Sequence, residues 1–439
     1  MNMKRGHFYI KTMGCQMNVY ESDYVYQILK DSGYEYTDDP GRADLIVINT
    51  CTVRKKAEQK AYSHIGRMLS LKRIKPHMRI AVLGCMAQQQ GQKLLERFPD
   101  IDLVMGPREI EKFKLFLTDI IRGGKIVATD LRGGPVGIID CAPRVPSFKS
   151  RVTGFVSIMQ GCNNFCSYCI VPYVRGREVS RSLQDIVAEV KMLVNWGIKD
   201  ITLLGQNVNS YRYKDYDFAR LLQKVHEVEG LLRLRFTTSH PKDVSQRLIQ
   251  CFRDLPKLCS HIHLPFQAGS DRILRLMNRG YTKEHYMELI QKLKDARPGI
   301  AITSDVMVGF PRETEEDFID TLDLIRRVEF DNLFSFKYSD REGTPAHKMQ
   351  GKIPEEEKQR RLELLQSIQK EITLKKNREM EGRIVDVLVE GKSKRGNTLT
   401  GRTDTNKIVN FIGNFDLIGK MVKIKVLNGY QNSLFGELF

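Results

Sequence analysis

The stretch GCNNFCSYC, Gly161–Cys169, places three cysteines in the spacing C-x3-C-x2-C. It follows Phe155–Met159, an apolar run that predicts a buried strand. A closed zinc site takes four ligands, commonly as two spaced pairs, and no fourth cysteine lies nearby in the sequence. Three thiolates on one loop can hold three irons of a cubane cluster and leave the fourth iron open to an exogenous ligand. The motif therefore favours an iron–sulfur cluster over a zinc knuckle at the start of a new domain.

The region around this motif repeats a strand pattern and a helix pattern. Strands are predicted at Phe155–Met159, Ile201–Leu204, Leu234–Thr237, His261–Leu264, Ala301–Val308 and Asn332–Tyr338. Helices are predicted at Leu183–Trp196, Phe218–Val228, Val244–Phe252, Ser270–Asn278, Lys283–Ala296 and Glu315–Val328. This alternation favours an α/β fold in the form of a partial or full (β/α) barrel, whose site lies at the carboxyl ends of the strands.

Three further cysteines stand N-terminal of this region, each shortly after an apolar run. Strands are predicted at Phe8–Ile10, Leu45–Ile48 and Ile80–Leu83, with helices at Tyr20–Ser32 and Arg54–Leu71. The motifs TMGC, INTC and VLGC end these strands at Cys15, Cys51 and Cys85. Because parallel strands end at one crevice, the three sulfurs can converge on one object. Three thiolates suit a second iron–sulfur cluster with one iron free of a protein ligand, and three buried core cysteines are the alternative.

The rest of the chain changes character twice. Pro143, Pro146 and Ser147 mark a linker, and Pro354–Arg378 predicts a charged connector helix. Runs rich in β-branched residues predict a small all-β barrel at Arg383–Val389, Ile408–Phe411 and Met421–Val426. We therefore predict three domains, at residues 1–142, 148–378 and 379–439.

The composition is that of a globular protein with a basic surplus. The 439 residues carry 70 Lys and Arg against 53 Asp and Glu, a formal net charge of +17. This surplus suits a polyanionic partner such as nucleic acid, with a generally basic proteome as the alternative. Nine cysteines, an odd count, argue against a disulfide framework. No stretch resembles a membrane span or a secretory signal, so we expect a cytoplasmic protein without a membrane partner.

Other candidate residues carry weaker signals. Cys141, Cys251 and Cys259 belong to no motif, and we expect them to be linker or core thiols. His240 and His263 follow or end predicted strands. Each could face the barrel mouth or be an ordinary half-buried histidine.

Taken together, these motifs resemble the methylthiotransferases of the radical S-adenosylmethionine superfamily over essentially the whole chain. GCQMNVYES with Cys15, NTC with Cys51 and GC with Cys85 match the N-terminal domain of that family. GCNNFCSYCIVPYVRGREVSR, Gly161–Arg181, matches the radical domain. LLGQNVNSY, FTTSHP, HLPFQAGS, TSDVMVGFPRETEEDF and FSFKYSDREGTPA follow the family order, and the tail resembles the TRAM module, an RNA-binding barrel.

Details of the motifs favour one branch of the family. GCQMN, GCNNFC and GREVSR favour the branch that acts on dimethylallyladenosine in tRNA. Two residues depart from the pattern, because Arg312 stands where we expect Gly and Asp340 stands where we expect Pro. Neither is a predicted cluster ligand.

The resemblance implies two [4Fe–4S] clusters and S-adenosylmethionine as cofactors. One cluster binds S-adenosylmethionine at its open iron and cleaves it to a 5′-deoxyadenosyl radical, and the auxiliary cluster carries the sulfur that is transferred. The implied ligands of the first cluster are Cys162, Cys166 and Cys169, and those of the auxiliary cluster are Cys15, Cys51 and Cys85. Gln206, Asn207 and Ser304 stand at barrel-mouth positions and are predicted to contact S-adenosylmethionine.

The implied reaction adds a methylthio group to C2 of N6-dimethylallyladenosine at position 37 of tRNA, next to the anticodon. The expected partners are the anticodon stem-loop, whose unpaired bases can be splayed out for recognition, and an electron donor such as flavodoxin or ferredoxin. We expect a monomer. Basic runs at Arg54–Lys60, Arg175–Arg181 and Lys392–Arg395 are candidate phosphate contacts, with solvated charged faces as the alternative.

Three other functions stay open at this point. The same chemistry could act on N6-threonylcarbamoyladenosine of tRNA or on a ribosomal-protein aspartate. The second cluster could serve electron transfer alone, which would give deoxyadenosine without a methylthio product. In a different class, the chain could be a noncatalytic RNA-binding protein with structural zinc.

Overall fold

The computed structural model describes residues 6–52, 55–131, 152–393, 396 and 398–439. The chain forms two compact units. The first unit is Met1–Ser147, Met159–Asn163 and Ile170–Arg181, and the second unit is Phe148–Ile158, Asn164–Cys169 and Ser182–Phe439. The predicted linker at Pro143–Ser147 and the thiol of Cys141 lie outside the described residues. The domain limits at 142, 148 and 379 stay predictions.

The observed elements overlap every strand and helix predicted from the sequence. The strands are β1 (His7–Met13), β2 (Glu35–Tyr36), β3 (Leu45–Thr50), β4 (Arg79–Gly84), β5 (Leu103–Met105), β6 (Ile126–Ala128), β7 (Thr153–Ser157), β8 (Met159–Gln160), β9 (Val179–Ser180), β10 (Asp200–Leu204), β11 (Arg212–Tyr213), β12 (Tyr216–Asp217), β13 (Arg233–Phe236), β14 (His261–His263), β15 (Ala301–Val308), β16 (Asn332–Lys337), β17 (Ile384–Lys392), β18 (Leu399–Arg402), β19 (Ile408–Phe411), β20 (Met421–Gly429) and β21 (Leu434–Leu438). The α-helices are α1 (Gln16–Asp31), α2 (Lys55–Ile74), α3 (Cys85–Gln90), α4 (Gln92–Arg97), α5 (Phe113–Ile121), α6 (Val171–Arg175), α7 (Leu183–Asn195), α8 (Phe218–His226), α9 (Gln246–Asp254), α10 (Asp271–Leu276), α11 (Lys283–Ala296), α12 (Glu315–Val328) and α13 (Glu355–Arg378).

The first unit is built on a parallel sheet with the strand order β2-β1-β3-β4-β5-β6. Both of its faces are buried, since Val47 and Leu83 pack in one apolar cluster while Ile46 and Ile80 pack in another. Burial on both faces explains the unbroken apolar runs in the sequence. The strands β2, β5 and β6 are only two or three residues long and were not predicted.

The second unit contains an arc of parallel strands. Strands β13-β10-β7 and β14-β15-β16 each form a parallel sheet, and Leu234 of β13 bridges to Leu258 just before β14. Helices α7 to α12 lie between these strands in the sequence, and each begins at a Ser, Thr or Asp that accepts a first-turn backbone N–H. The partial form of the predicted barrel is therefore the one observed.

The predicted connector helix α13 packs on the barrel. Leu365 is fully buried, the Gln369 side-chain amide donates to the Phe330 carbonyl at 2.8 Å, and Thr373 Oγ1 donates to the Asp331 carbonyl at 3.1 Å. The helix lies against β16. Its role is thus to cover the last strand of the arc as well as to connect it to the tail.

Strands β17 to β21 close into a barrel in the order β17-β18-β19-β21-β20. Two buried arginines of β13 hold this barrel, because Arg233 Nη2 donates to the Asp386 carbonyl at 3.0 Å and Arg235 Nη2 donates to the Thr403 carbonyl at 2.9 Å. The all-β tail is therefore a fixed part of the second unit. In the part of the chain that the structure describes, no helix has the length and apolar character needed to span a membrane.

Candidate functional site

Three neighbouring strands of the first sheet end in cysteines at the same edge. Met13 pairs with Thr50 and Thr50 pairs with Gly84, so these residues form one row across β1, β3 and β4. Neighbouring strands lie only about 4.8 Å apart. The cysteines that follow this row are Cys15, Cys51 and Cys85. The register therefore brings together the cysteines predicted to hold the auxiliary cluster. Negative charge on Cys15 or Cys51 raises the pKa of Cys85.

Buried amides fix the backbone around these cysteines. Asn18 Oδ1 accepts the Cys15 N–H at 3.1 Å, and Asn18 Nδ2 donates to Asn49 Oδ1 at 2.9 Å. Asn49 Nδ2 in turn donates to the Asn18 carbonyl at 3.0 Å. Both side chains are fully buried, where leaving either amide unpaired would be costly. The pair thereby ties the start of α1 to the end of β3.

Gly84 is required by the close approach of β3 and β4. Its φ is +94°, a conformation that L side chains rarely adopt. A Cβ at this position would also collide with the Thr50 carbonyl oxygen. The glycine of the VLGC motif therefore lets Cys85 follow β4 directly.

A buried arginine from the Gly161–Arg181 stretch lies against this group. Arg175 Nε donates to the Cys85 sulfur at 3.2 Å, and Arg175 Nη1 donates to Glu21 Oε1 at 2.7 Å. Arg108 Nε holds the same stretch by donating to the Arg175 carbonyl at 2.8 Å. Burial alone would lower the pKa of Arg175, but Cys85 and Glu21 outweigh burial and raise it. Arg175 is therefore a fixed positive charge beside Cys85.

The surroundings of Cys85 fit an iron–sulfur cluster. Burial raises the pKa of the Cys85 thiol to about 12, with Arg175 acting in the opposite direction, whereas a coordinated thiol is deprotonated by its metal. Arg175 Nη2 is buried and has no partner among the described residues, which leaves one donor for an additional acceptor such as a sulfide.

The spacing of the ligands also bears on the kind of metal centre. Among the described residues, no three His, Cys, Asp or Glu side chains gather as closely as the ligands of one metal ion. A cubane cluster takes each cysteine at a separate iron, so its ligands stay farther apart. A cluster on Cys15, Cys51 and Cys85 therefore stays a prediction.

Cys166 and Cys169 lie in a loop that is anchored to the end of α10 within the second unit. The Ser167 N–H donates to the Met277 carbonyl at 3.0 Å. Asn278 Nδ2 donates to two carbonyls of the same loop at 3.1 and 3.2 Å. These bonds hold the loop without using either sulfur.

A buried arginine also donates to a sulfur of this loop. Arg279 Nη1 donates to the Cys166 sulfur at 3.4 Å, and Arg279 Nη2 donates to the Pro265 carbonyl at 2.7 Å. The Arg279 guanidinium also lies 5.3 Å from the centre of the Tyr281 ring. The sequence predicts neither role: Arg175 stands in a run of candidate phosphate contacts, Arg279 stands in no motif, and neither lies in a pattern that signals burial.

The remaining cysteine of the motif, Cys162, belongs to the first unit. Its N–H donates to the Gly176 carbonyl at 3.2 Å. Gly161 has a φ of +84°, and a Cβ there would collide with the Arg177 carbonyl. The glycine before Cys162 is therefore fixed by the backbone path of this segment.

The three predicted contacts of S-adenosylmethionine have different surroundings. Gln206 and Asn207 follow the end of β10, and Asn207 Nδ2 donates to Asp243 Oδ2 at 2.7 Å while its Oδ1 is buried without a partner among the described residues. Ser304 lies inside β15, donates to the Leu264 carbonyl at 2.8 Å and accepts the Phe266 N–H at 2.9 Å. Its hydroxyl therefore bonds to the backbone of the barrel, and its contact with S-adenosylmethionine stays a prediction.

Two polar groups after β13 have no partner among the described residues and were not predicted as ligand contacts. They are Ser239 Oγ and His240 Nε2, both buried. His240 Nδ1 accepts the Lys242 N–H at 3.3 Å, which assigns the proton to Nε2. Burial, with help from Arg279 and Lys242, lowers the pKa of His240 to about 2, so the imidazole is neutral. His263, the other candidate, bonds to Thr303 Oγ1 at 3.0 Å.

The basic runs divide between internal and exposed roles. Arg175 and Arg181 are buried and bond to side chains of the first unit, so the prediction that they contact phosphate is wrong for these two residues. Arg54, Lys394 and Arg395 lie outside the described residues. On the closed barrel, Lys392 is exposed and its ammonium lies 4.1 Å above the ring centre of the exposed Phe415.

The remaining expectations from the sequence concern isolated residues. Cys251 and Cys259 are buried core thiols, as predicted. Arg312 has a φ of +68°, which explains why glycine is expected there. Asp340 accepts from the Tyr338 hydroxyl at 2.8 Å and pairs with Lys352, contacts that a proline could not make.

Family models match three parts of the chain. Residues 7–106 match the Uncharacterized protein family UPF0004, residues 156–325 match the Radical SAM superfamily, and residues 378–439 match the TRAM domain. Among solved structures, the radical S-adenosylmethionine methyltransferase TsrM from Kitasatospora setae has a TM-score of 0.59 at 17% identity, covering 79% of this chain and 77% of that one. This likeness concerns the fold alone.

Similar proteins extend over the whole chain. The tRNA-2-methylthio-N(6)-dimethylallyladenosine synthase of Syntrophus aciditrophicus is 52% identical, covering 100% of this chain and 95% of the relative. The proteins of the same name from Geobacter sulfurreducens and Clostridium perfringens are 50% and 47% identical, covering 98% and 100% of this chain and 97% and 98% of the relatives. The chain therefore belongs to the family of tRNA-2-methylthio-N(6)-dimethylallyladenosine synthases, which are radical S-adenosylmethionine methylthiotransferases.

Proposed function

We propose that this chain adds a methylthio group to C2 of N6-dimethylallyladenosine at position 37 of tRNA, next to the anticodon, in the cytoplasm. The observation that carries the proposal is the edge of the first sheet that gathers Cys15, Cys51 and Cys85, in a chain that also has a C-x3-C-x2-C motif. Cleaving S-adenosylmethionine needs only one set of three cysteines, which holds one cluster. Transfer of a methylthio group also needs a sulfur source, for which the second set is available.

The cysteines are assigned to two clusters. As a member of the Radical SAM superfamily, the chain uses a [4Fe–4S] cluster and S-adenosylmethionine, and we assign that cluster to Cys162, Cys166 and Cys169. The auxiliary [4Fe–4S] cluster is assigned to the first-unit cysteines. When bound, these groups supply the radical that removes hydrogen from C2 and the sulfur that replaces it. The residues of the chain hold these groups, exclude water and orient the base.

Buried polar atoms at the barrel mouth are available to bind S-adenosylmethionine or the base. They are Asn207 Oδ1, Ser239 Oγ and His240 Nε2. The neutral His240 offers a donor, and Asn207 offers an acceptor, which together suit the mixed donor and acceptor edge of a purine or an amino acid. A buried polar group without a partner is costly, so a ligand that pairs with it binds more tightly.

The tRNA contact is assigned to the closed barrel. Lys392 and Phe415 are exposed side by side, and an aromatic ring with a neighbouring cation suits an unstacked base and its phosphate. Lys423 and Lys425 are also exposed on β20. We propose further that the chain acts as a monomer and receives electrons from a flavodoxin or a ferredoxin.

The test is mass spectrometry of nucleosides from bulk tRNA of a strain that lacks this gene. We expect 2-methylthio-N6-dimethylallyladenosine to disappear and N6-dimethylallyladenosine to accumulate. The gene for the chain should restore the product, whereas the gene for Cys51→Ala should not. Cys251→Ala is the matched control, because Cys251 is an equally buried thiol outside both groups and should restore the product.

The nucleoside analysis, together with analysis of ribosomal protein from the same strain and assays of the purified chain, separates the alternative functions. Loss of the methylthio form of threonylcarbamoyladenosine, or of a modified ribosomal-protein aspartate, would move the substrate to a sister branch. A purified chain that makes deoxyadenosine but no methylthio nucleoside would leave the second cluster to electron transfer alone. Zinc without acid-labile sulfide in the purified chain would refute the cluster chemistry altogether.

A further inference from the structure

Glu21 and Arg175 form a buried ion pair directly beside the cysteines of the first unit. Only 2% of Arg175 and 5% of Glu21 is exposed. One guanidinium bridges the two groups, because Arg175 Nε lies 3.2 Å from the Cys85 sulfur and Arg175 Nη1 lies 2.7 Å from Glu21 Oε1. The second oxygen of Glu21 is 3.5 Å from Asn49 Nδ2. A charged pair is thus held in a fixed orientation against one sulfur.

Replacing such a pair with apolar residues often costs a protein little stability. The presence of this pair is therefore weak evidence for a stabilising role. Its two charges act in opposite directions on the sulfur, since Arg175 favours negative charge on Cys85 and Glu21 disfavours it. In the low-dielectric interior both effects are strong, because water does not screen them.

We infer that Arg175 and Glu21 are positioning residues that set the reduction potential of the auxiliary cluster through the Cys85 sulfur. This inference rests on the proposed function, because it requires a cluster on Cys15, Cys51 and Cys85. The potentials of iron–sulfur clusters depend on net charge and on hydrogen bonds to their sulfurs. A donated N–H and a positive charge stabilise the reduced cluster and raise the potential. The carboxylate of Glu21 opposes this effect and lowers the potential.

The spare donor of Arg175 supports the same role. Its Nη2 is buried without a partner among the described residues, although the other two nitrogens are bonded. Arg108 fixes the backbone at and after this arginine, by donating to the carbonyls of Arg175 and Arg177. The guanidinium is therefore held in place with one N–H group left for the cluster.

The test is a redox titration followed by electron paramagnetic resonance. The full-length chain with Cys162→Ala, Cys166→Ala and Cys169→Ala is the parent, so that only the auxiliary cluster is observed. Arg175→Met should move the potential to a more negative value, and Glu21→Gln should move it to a more positive value. Arg175→Lys, which keeps the charge, should lie between Arg175→Met and the parent. Arg279→Met is the matched control, because it also removes a buried arginine but one that contacts Cys166, and it should leave the potential unchanged.

Opposite shifts are the signature that a merely structural role would not produce. Shifts of Arg175→Met and Glu21→Gln in the same direction, or no shift in either, would overturn the inference. If Arg175→Met does not retain iron, Glu21→Gln decides the question by the sign of its shift. A parent that binds no iron would refute the second cluster of the proposed function, which is a separate outcome from an iron-loaded parent whose potential ignores both residues.

Discussion

A buried ion pair between α13 and the loop after β15 allows a quantitative prediction. Arg361 Nη1 lies 2.8 Å from Glu313 Oε2, and only 5% of Arg361 and 3% of Glu313 is exposed. Glu313 also accepts the Gly309 N–H at 2.6 Å, so the pair fixes the GFPRET segment at the end of β15. Arg361→Met would keep most of the side-chain volume but leave the carboxylate buried without its cation.

The expected cost is large. Removing one partner of a buried pair costs about 3 to 5 kcal/mol, because the remaining charge stays desolvated. The neighbouring Arg360 is the matched control, since its guanidinium pairs with Glu315 and Glu357 on the surface. Exposed pairs contribute about 0 to 1 kcal/mol, so Arg360→Met should have little effect.

Hydrogen exchange measured by mass spectrometry resolves this difference locally, which suits a chain of several domains that need not unfold in one step. Protection of peptides covering Gly309–Phe318 should fall roughly 100-fold or more in Arg361→Met, the equivalent of about 3 kcal/mol at 1.4 kcal/mol per tenfold change. It should stay near the parent value in Arg360→Met. Equal protection in the two variants would refute the argument that burial makes the Arg361 pair important.

The pH dependence gives a second check. Burial raises the pKa of Glu313 despite the opposing effects of the Gly309 N–H and Arg361. A carboxyl whose pKa is higher in the folded state favours folding as the pH falls, because the folded chain then binds the proton more tightly. Without Arg361 that pKa rises further. The deficit of Arg361→Met should therefore be largest at neutral pH and shrink on acidification, and a constant deficit would contradict this account.

The remaining predictions concern the departure at Arg312 and the closed barrel. Arg312→Gly should raise the thermal midpoint of unfolding, because it relieves a left-handed conformation that costs about 1 to 2 kcal/mol. The added entropy of a glycine in the unfolded chain offsets only about 0.5 to 1 kcal/mol of this gain. A lower midpoint would contradict the strain argument. Lys392→Ala and Phe415→Ala should weaken tRNA binding, with a shallower salt dependence only for the lysine variant, while S-adenosylmethionine cleavage stays unchanged. Parallel loss of binding and cleavage would show that the closed barrel does more than hold RNA.

Point substitutions test the closed barrel better than deletion does. Arg233 and Arg235 are buried and donate to backbone carbonyls of the barrel, and Lys407 pairs with Asp331 at 3.1 Å. Removing residues 379–439 would take away these carbonyl acceptors of Arg233 and Arg235 and would also take Lys407 away from Asp331. A deleted chain would therefore lose stability as well as RNA contacts, and the two effects would be confounded.

Local sequence determined most of the architecture. Strands buried on both faces must be apolar throughout, so Leu45–Ile48 and Ile80–Leu83 could be recognised as members of a parallel sheet. Parallel strands end at one edge, so the positions of Cys15, Cys51 and Cys85 followed from the strands alone. The short strands β5 and β6 escaped prediction because three residues carry no measurable period.

The tertiary structure decided which polar residues serve the sites. Arg175 belongs to a run that reads as a charged surface, yet it is buried against Glu21 and Cys85, which are distant in the sequence. Ser304 stands on a strand of the barrel as predicted, but its hydroxyl is taken up by the backbone of the neighbouring β14 segment. Whether a polar side chain faces water, backbone or a ligand depends on which distant segment packs beside it. That packing is a property of the folded chain and not of any local pattern of residues.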